Sequence, residues 1–454
     1  MNSPSLPVIS RSKPQSLMLG LDHLWQIRKD QLTFYKKLQL QHGDAVQLRL
    51  GPHRSWLLFH PQHIHGVMVE NAKSFVRFEP LMRVLAQWNG SSLLIAEGTA
   101  WQAQRRMVLP GFAPSRMSQY ASHIVRGAVA LRDIWSARAP MGEQTTLDVD
   151  AAMVSLTLDL AAFTLFDSEL GESRAAIARA VESLSEIAFE EASQIFPTPS
   201  FIPTQHQRKK RAAIATMRHC VRKIVMERRG TPDCGDVLSG LMAQGEMDEA
   251  GLCDEVMTLL IAGHETTSAA LTWIIYLLAT NSHALRCLQR ELTHILEGRI
   301  PTLNDLSKLP YLEAVIKESL RLYPPAYSLF LRRAIHSVQL NGVQLRKGDL
   351  VQIVPYITQR DERWFVDPDC FTPERFLQAS VSWPRHAFLP FGVGPRVCVG
   401  QSFGMMEMSL ITATLLQTLT PSFKGPPPIL RARFSLRPMG GMSISWSSRQ
   451  YLDR

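Results

Sequence analysis

Cys398 sits in the run Phe391-Gly392-Val393-Gly394-Pro395-Arg396-Val397-Cys398-Val399-Gly400, whose residue types suit distinct tasks around a bound metal. A deprotonated cysteine is an electron-rich ligand. As the axial ligand of a haem iron it favours O–O cleavage. Gly394 and Gly400 lack a Cβ, so the backbone there can approach a flat macrocycle closely. Arg396 is a permanent cation suited to a propionate, and Phe391 can shield the sulfur from water. The segment 401–411 that follows reads as helix, which sets Cys398 near a helix N-terminus, where free N–H groups and the dipole stabilise a thiolate. Two simpler readings stand beside this one. A lone cysteine is commonly a small buried hydrophobe. Gly-x-Gly before a helix also occurs in dinucleotide loops, but no third glycine falls at the required offset and Pro395 interrupts the pattern.

A second polar cluster lies inside an apolar helix. Asp248 suits the N-cap of a helix running to about Thr280, about 32 residues or 48 Å long. Val256, Leu259, Leu260, Ile261, Leu271, Trp273, Ile274, Ile275, Leu277 and Leu278 make it apolar nearly all round, so it must be buried or span a membrane. At its centre lies Ala262-Gly263-His264-Glu265-Thr266-Thr267. Polar groups there are costly unless paired or facing a wet cavity. Thr266 can bond back to the carbonyl of Ala262 and bend the helix. The same bend, opening the ladder beside Gly263, would make room for O₂ and water, with an acid and an alcohol at hand to deliver protons. His264 does not begin an H-E-x-x-H zinc motif, because Ser268 occupies the position of the second histidine.

The elements that position these groups leave weaker marks. Glu318 and Arg321, three apart, share a helix face; an exposed pair of this kind contributes at most about 1 kcal/mol. Arg375 follows in Pro373-Glu374-Arg375-Phe376, upstream of the cysteine run. Residues 44–60 read as a hairpin turning at Gly51-Pro52, 335–356 as further strands with a hairpin at Asn341-Gly342, and 430–447 as a last hairpin turning about Pro438-Met439-Gly440-Gly441. Helical periodicity dominates 80–325 and 400–418.

Taken together these segments resemble the cytochrome P-450 superfamily. The cysteine run matches its F-G-x-G-x-R-x-C-x-G loop, and Ala262 to Thr267 match its A-G-x-[DE]-T-T pattern in full. The resemblance covers nearly the whole chain. It implies a mainly α fold with a smaller β region, a helical prism holding haem b between the long central helix and the cysteine-loop helix. Cys398 would be the axial ligand, with Phe391, Gly392, Gly394, Arg396 and Gly400 in the loop around it. Thr266 would be the distal alcohol and Glu265 its acid partner. Glu318, Arg321 and Arg375 match a buried triad whose role is structural, since burying such charges is worthwhile only with full pairing. Trp101 and Arg105 match a W-x-x-x-R pattern that reaches a propionate. Arg332 matches a propionate-binding arginine, with a solvated residue beside Arg333 as the alternative. The substrate pocket is expected near Phe78, Leu81, Trp88, Leu259, Ala262, Ala326, Tyr327, Ser328, Leu329 and Phe330. These are mostly apolar, which favours a terpenoid, fatty acid or other lipophilic molecule.

Composition is consistent with that picture. The 454 residues are 45% hydrophobic and show no linker, repeat or low-complexity tract, so one domain spanning 1–454 is expected. Six cysteines without a C-x-x-C pair suit a reducing compartment. The first 20 residues contain no long apolar run, so no transmembrane anchor is expected, and the reading is a soluble, cytoplasmic, bacterial-like member. Part of the net charge of +9 lies in Arg208-Lys209-Lys210-Arg211, Arg218, Arg222, Lys223, Arg228 and Arg229. Interleaved Ile214, Met217, Val221 and Ile224 make this a helix with a solvated basic face, and no nucleic-acid motif accompanies it.

The implied reaction is RH + O₂ + 2e⁻ + 2H⁺ → ROH + H₂O. No flavin or iron–sulfur segment is fused on, so a separate ferredoxin or flavodoxin with its NAD(P)H reductase is implied. Acidic partner surfaces would suit a basic face here. A haem-thiolate peroxygenase or dehydratase would use the same loop but typically lacks the acid–alcohol pair. A haem gas or redox sensor would usually carry an output domain.

Overall fold

The alternation at Ala45–Leu50 builds a strand that pairs antiparallel with His53–Leu58, Ala45 opposite Leu58. This computed structural model describes residues 20–139, 142–192, 204–378 and 383–449, so the expectations for the first 19 residues lie outside the described ones. His53–Leu58 pairs parallel with Leu350–Ile353, which pairs with Arg332–Ala334, which in turn pairs with Phe75–Arg77. In this five-stranded sheet Arg77 stands directly opposite Arg332. Like charges directly opposed on a sheet repel, so the fold tolerates this register only if something negative lies nearby. The small hairpin at Asn341-Gly342 joins Val338–Leu340 to Val343–Leu345, with Gly342 at φ +71° as its turn requires.

The chain departs from expectation at its C-terminal end. Leu430–Ala432 pairs with Leu436–Pro438 around Arg433-Phe434-Ser435. Ser443–Ser448 pairs instead with Thr145–Asp148 and Leu419–Ser422. The hairpin expected about residues 438–441 is therefore absent. Gly440 and Gly441, at φ +82° and +84°, swing the chain into another sheet, and a Cβ on Gly441 would lie 2.7 Å from the Asp148 carboxylate. The Thr145–Asp148 strand also interrupts the stretch expected to be dominated by helix.

The long helix runs over Glu249–Thr280 with the Asp248 carboxylate accepting from Gly251 N at 2.8 Å. It is continuous through Gly263, so the expected opening of its ladder is not seen. Its apolar residues pack chiefly against Val149–Phe166 and also against Gln401–Leu416 and Pro310–Leu322. Among the described residues Val149–Phe166 is the one helix long and apolar enough to cross a membrane; 56% of it is buried inside the fold.

The basic segment forms Gln205–Arg228, and many of its charges are paired with acids of the fold. Lys210 is buried against Glu191 at 2.7 Å. Arg222 and Arg229 reach Glu249, Arg218 reaches Asp254, and Arg228 reaches Asp236. Much of what reads as a free basic face is thus ion-paired to neighbouring segments, with Lys210 and Arg228 buried and Arg218, Arg222 and Arg229 exposed.

Candidate active site

Between the long helix and the cysteine loop lies a cavity of about 340 Å³. Leu259, Ala262, Gly263, Thr266, Thr267 and Ala270 form one wall, and Phe391, Gly392 and Val397 to Gly400 the opposite one. Leu93, Ala326, Leu329 and Phe330 close much of the rest with apolar surface. A wider cleft of about 560 Å³ lies on the outer side of the cysteine loop, lined by Phe391, Gly392, Gln401, Met405 and Lys317 among others, and does not contain Cys398.

Cys398 is held by its own N–H, which donates to Phe391 O at 3.0 Å. Its thiol faces the cavity. Burial raises its pKa, opposed by the Gly400 N–H that points at the sulfur and by the Arg105 charge. Gly400 caps the Gln401–Leu416 helix, so the sulfur lies at that helix's N-terminus. The loop glycines serve another purpose than expected. Gly394 has φ +76°, and a Cβ there would come within 2.0 Å of the Met68 carbonyl oxygen. Its bare Cα lets the loop lean on the Gly66–Glu70 turn. A Cβ on Gly400 would make ordinary contacts, 3.8 Å from Phe112 and 4.0 Å from the Cys398 sulfur.

One edge of the cavity is cationic. Arg77, Arg105, Arg332 and Arg396 all line it, together with Trp101. Arg396 stacks over the Trp101 ring at 4.4 Å and donates to Ala96 O at 3.0 Å. Arg105 donates to Val397 O at 3.0 Å. Glu97 is the shared carboxylate, 3.5 Å from Arg77 and bonded to Arg396. Burial pushes Arg77 down to about 10 and lowers Arg332 as well. Arg77 Nη1, Arg332 Nε and Arg396 Nη1 are buried without a hydrogen-bond partner among the described residues. Orphaned guanidinium atoms are costly to bury. Three cations around one carboxylate, with Arg105 beside them, fit two further carboxylates at this edge. A thiol below, an apolar slot above and this unbalanced edge fit a haem with its two propionates.

The polar centre of the long helix divides in two. Thr266 faces the cavity, and its hydroxyl donates to Ala262 O at 2.8 Å. Glu265 faces away from it. Ser435 Oγ donates to its carboxylate at 2.6 Å, and Arg437 donates to both its oxygens at 3.1 Å. Burial pushes the Glu265 pKa up, but Arg437 and its other partners outweigh it and leave the group below the ordinary carboxylate value. The expected acid beside Thr266 is thus tied to a strand on the helix's far side. His264 is buried, its Nδ1 2.9 Å from Leu260 O.

Glu318 and Arg321 are fully buried and bonded by two hydrogen bonds of 2.7 and 2.8 Å; Arg375 Nε reaches Glu318 at 3.0 Å. Arg321 also donates to the carbonyls of Gln359, Pro368 and Cys370, which fastens the segment leading to the cysteine loop.

Of the residues expected in the substrate pocket, Leu259, Ala262, Ala326, Leu329 and Phe330 line the cavity, and Phe78, Leu81, Trp88, Tyr327 and Ser328 do not. Trp88 is buried edge-on to Phe434. Tyr327 donates to Arg433 O at 2.8 Å, and Ser328 accepts from Gln352 at 2.8 Å. Phe78 meets His53 edge-on, and Leu81 packs against the helical core. Arg77, Glu97, Thr258 and Arg437 escaped the sequence reading because none lies in a local motif; Arg77 comes to the site only through its register with Arg332.

A family model described as cytochrome P-450 matches residues 12–443. The chain is similar to cyclooctatin synthase of Streptomyces melanosporofaciens, 34% identical over 412 residues that cover 88% of each chain. It is also similar to cyclooctat-9-en-7-ol 5-monooxygenase of the same organism, 30% identical over 97% of this chain and 92% of the relative. Pentalenene oxygenase of Streptomyces avermitilis is 29% identical over 87% of both chains. A match that runs from end to end, over a fold whose thiol-floored cavity calls for a haem, makes this chain a member of the cytochrome P-450 family and a haem monooxygenase.

Proposed function

We propose that the chain holds haem b through Cys398 and hydroxylates a terpenoid-like lipophile, with electrons from a separate ferredoxin or flavodoxin and its NAD(P)H reductase. The observation that carries this reading is the cavity itself: the Cys398 sulfur on one wall, the Thr266 hydroxyl on the other, and orphaned guanidiniums along one edge. Relatives named for cyclooctat-9-en-7-ol and pentalenene support the terpenoid class, as does the apolar lining. Six cysteines free of disulfides suit a reducing cytoplasm.

Bound there, the haem supplies the activation of O₂ and the oxygen transfer. The residues do the rest. Cys398 ligates, and the Gly400 N–H and Arg105 favour its thiolate form. Arg77, Arg105, Arg332 and Arg396 orient the propionates. Leu259, Ala262, Leu329 and Phe330 exclude water and seat the lipophile. Thr266 holds a proton at Oγ1 on the distal wall. Glu265, bonded to Ser435 and Arg437 on the far side of the helix, anchors the helix that carries Thr266.

Replacing Cys398 by His should give a protein that still takes up haem but lacks the red-shifted ferrous–CO Soret band of thiolate ligation. Retention of the band would exclude Cys398 as the ligand. Turnover should require added ferredoxin and reductase, and should fall with salt as charged docking is screened beyond about 8–10 Å; reduction by NADPH alone would refute the separate-partner reading.

A further inference from the structure

The cavity has a second polar spot, set apart from Thr266 along the long helix. Thr258 lies on the same wall of the long helix, eight residues before Thr266 and so about 12 Å from it along the axis. Behind it is a buried cluster that the oxygen chemistry leaves unused. Thr258 Oγ1 is 2.6 Å from Ser92 Oγ and 3.2 Å from Asn89 Oδ1. One turn before Thr258, Glu255 accepts from Leu93 N at 2.8 Å.

All four side chains are nearly or fully buried: Asn89 and Ser92 at 1% and 0% exposure, Glu255 and Thr258 at 0% and 5%. The cluster is also unfinished. Asn89 Nδ2, with two N–H groups, and Glu255 Oε2 have no partner among the described residues. Thr258 has one proton to share between two acceptors, so its lone pairs remain open. Burial raises Glu255 to about 7, as expected of a carboxyl without a counter-charge. Leu93, Leu94 and Leu259 surround this spot with apolar surface. A small-molecule site of this kind fixes its ligand's orientation by a few placed polar groups in an apolar lining.

We propose that the substrate already carries an oxygen, as a hydroxyl, which docks at the Thr258 hydroxyl held in place by the buried Asn89 and Ser92 behind it. This rests on the monooxygenase reading above and narrows it. The carbon to be oxidised then lies at the Thr266 end, roughly a helix segment of 12 Å away. The reaction that supplies the substrate must therefore leave an oxygen substituent on the lipophile, and this enzyme adds a further one at a distance.

The test uses the haem-loaded full chain and reads the substrate-induced spin-state shift. The probes are matched pairs of a terpene hydrocarbon and its mono-alcohol, cedrene with cedrol among them. Wild type should bind the alcohols about tenfold more tightly, the worth of one well-made hydrogen bond. Thr258→Val keeps shape and removes the hydroxyl; it should shrink that preference to within about threefold while haem content and hydrocarbon affinity hold. Thr258→Ser should restore the preference. Equal binding of both members by wild type, or an unaltered preference in Thr258→Val, would overturn the proposal and leave the cluster as a site for structural water. Absence of the red-shifted ferrous–CO band in wild type would instead sink the haem-thiolate reading beneath it.

Discussion

Arg437 and Glu265, 172 residues apart in the chain, meet in a two-point ion pair, each carboxylate oxygen 3.1 Å from a guanidinium nitrogen. Arg437 also reaches Asp150 at 2.7 Å. One buried cation therefore neutralises two carboxylates on different helices and pins them to the Leu436–Pro438 strand. Replacing Arg437 by Leu should strand both acids and cost about 3–5 kcal/mol, measured as a fall in melting temperature with loss of haem. The sign with pH follows from Glu265 lying below its ordinary value. Its stabilising contribution is present above about pH 4.5 and is lost as pH falls through the folded value. Glu265→Gln should therefore flatten the acid limb of the stability profile.

The Glu318 triad makes a similar demand. Glu318→Ala leaves Arg321 buried among carbonyls with no counter-charge. A loss of about 3–5 kcal/mol is expected, seen as apo or aggregated protein. Normal haem content and an unchanged melting temperature would contradict the buried arrangement.

Thr266→Ala removes the hydroxyl from the distal wall and spares the ligand and the apolar lining. Electron consumption should continue, with more peroxide and less hydroxylated product. A positioned proton donor typically contributes about 10²–10⁴-fold, and water can substitute in part, so the loss of coupling should lie near the lower bound. NAD(P)H oxidation, peroxide and product measured together decide it; unchanged product per electron would reduce Thr266 to a residue that only engages the Ala262 carbonyl.

Arg77 should matter for haem retention as much as any residue of the cysteine run. Arg77→Leu removes one of the orphaned guanidiniums opposite Arg332. Haem transfer to apomyoglobin should accelerate by about tenfold or more, the loss of one charge-assisted hydrogen bond. The thiolate CO band should be unchanged while haem remains bound.

Glu407 offers a pH test. It is buried on the cysteine-loop helix with its side chain bonded to Thr267, and burial raises it to about 8. An acid raised in the folded state contributes stability fully below its unfolded value, near 4.5, and loses it as pH rises toward 8. Wild-type stability should therefore decline across that interval, by at most roughly 1.4 kcal/mol for each pH step of one. Glu407→Gln should lack the decline; an identical profile in both proteins would refute it.

Much of this was legible in the sequence because the decisive signals are local. The cysteine run, the long helix with its Asp248 cap and polar centre, the Asn341-Gly342 turn and the Glu318–Arg321 spacing each fit within one element. What stayed hidden depends on tertiary closure. Arg77 is an ordinary strand residue until register sets it against Arg332. Gly394 looks like clearance for a ligand until Met68 O is found in that space. Gly440 and Gly441 read as a hairpin turn, but the Asp148 carboxylate at Gly441 and two left-handed residues in succession send the next strand to another sheet. Pocket expectations failed at Trp88 and Tyr327 because an apolar or aromatic residue near a site is equally at home in the core beside it.

The strand that carries Arg437 is synthesised 172 residues after Glu265. Glu265 and Asp150 are made long before their shared cation exists. During synthesis the long helix must hold an uncompensated acid in apolar surroundings, so the wall behind the cavity stays unsealed until Arg437 is made and docks. A chain truncated before Leu436 should expose the cavity to solvent and to chaperones, whereas the 454-residue chain should not.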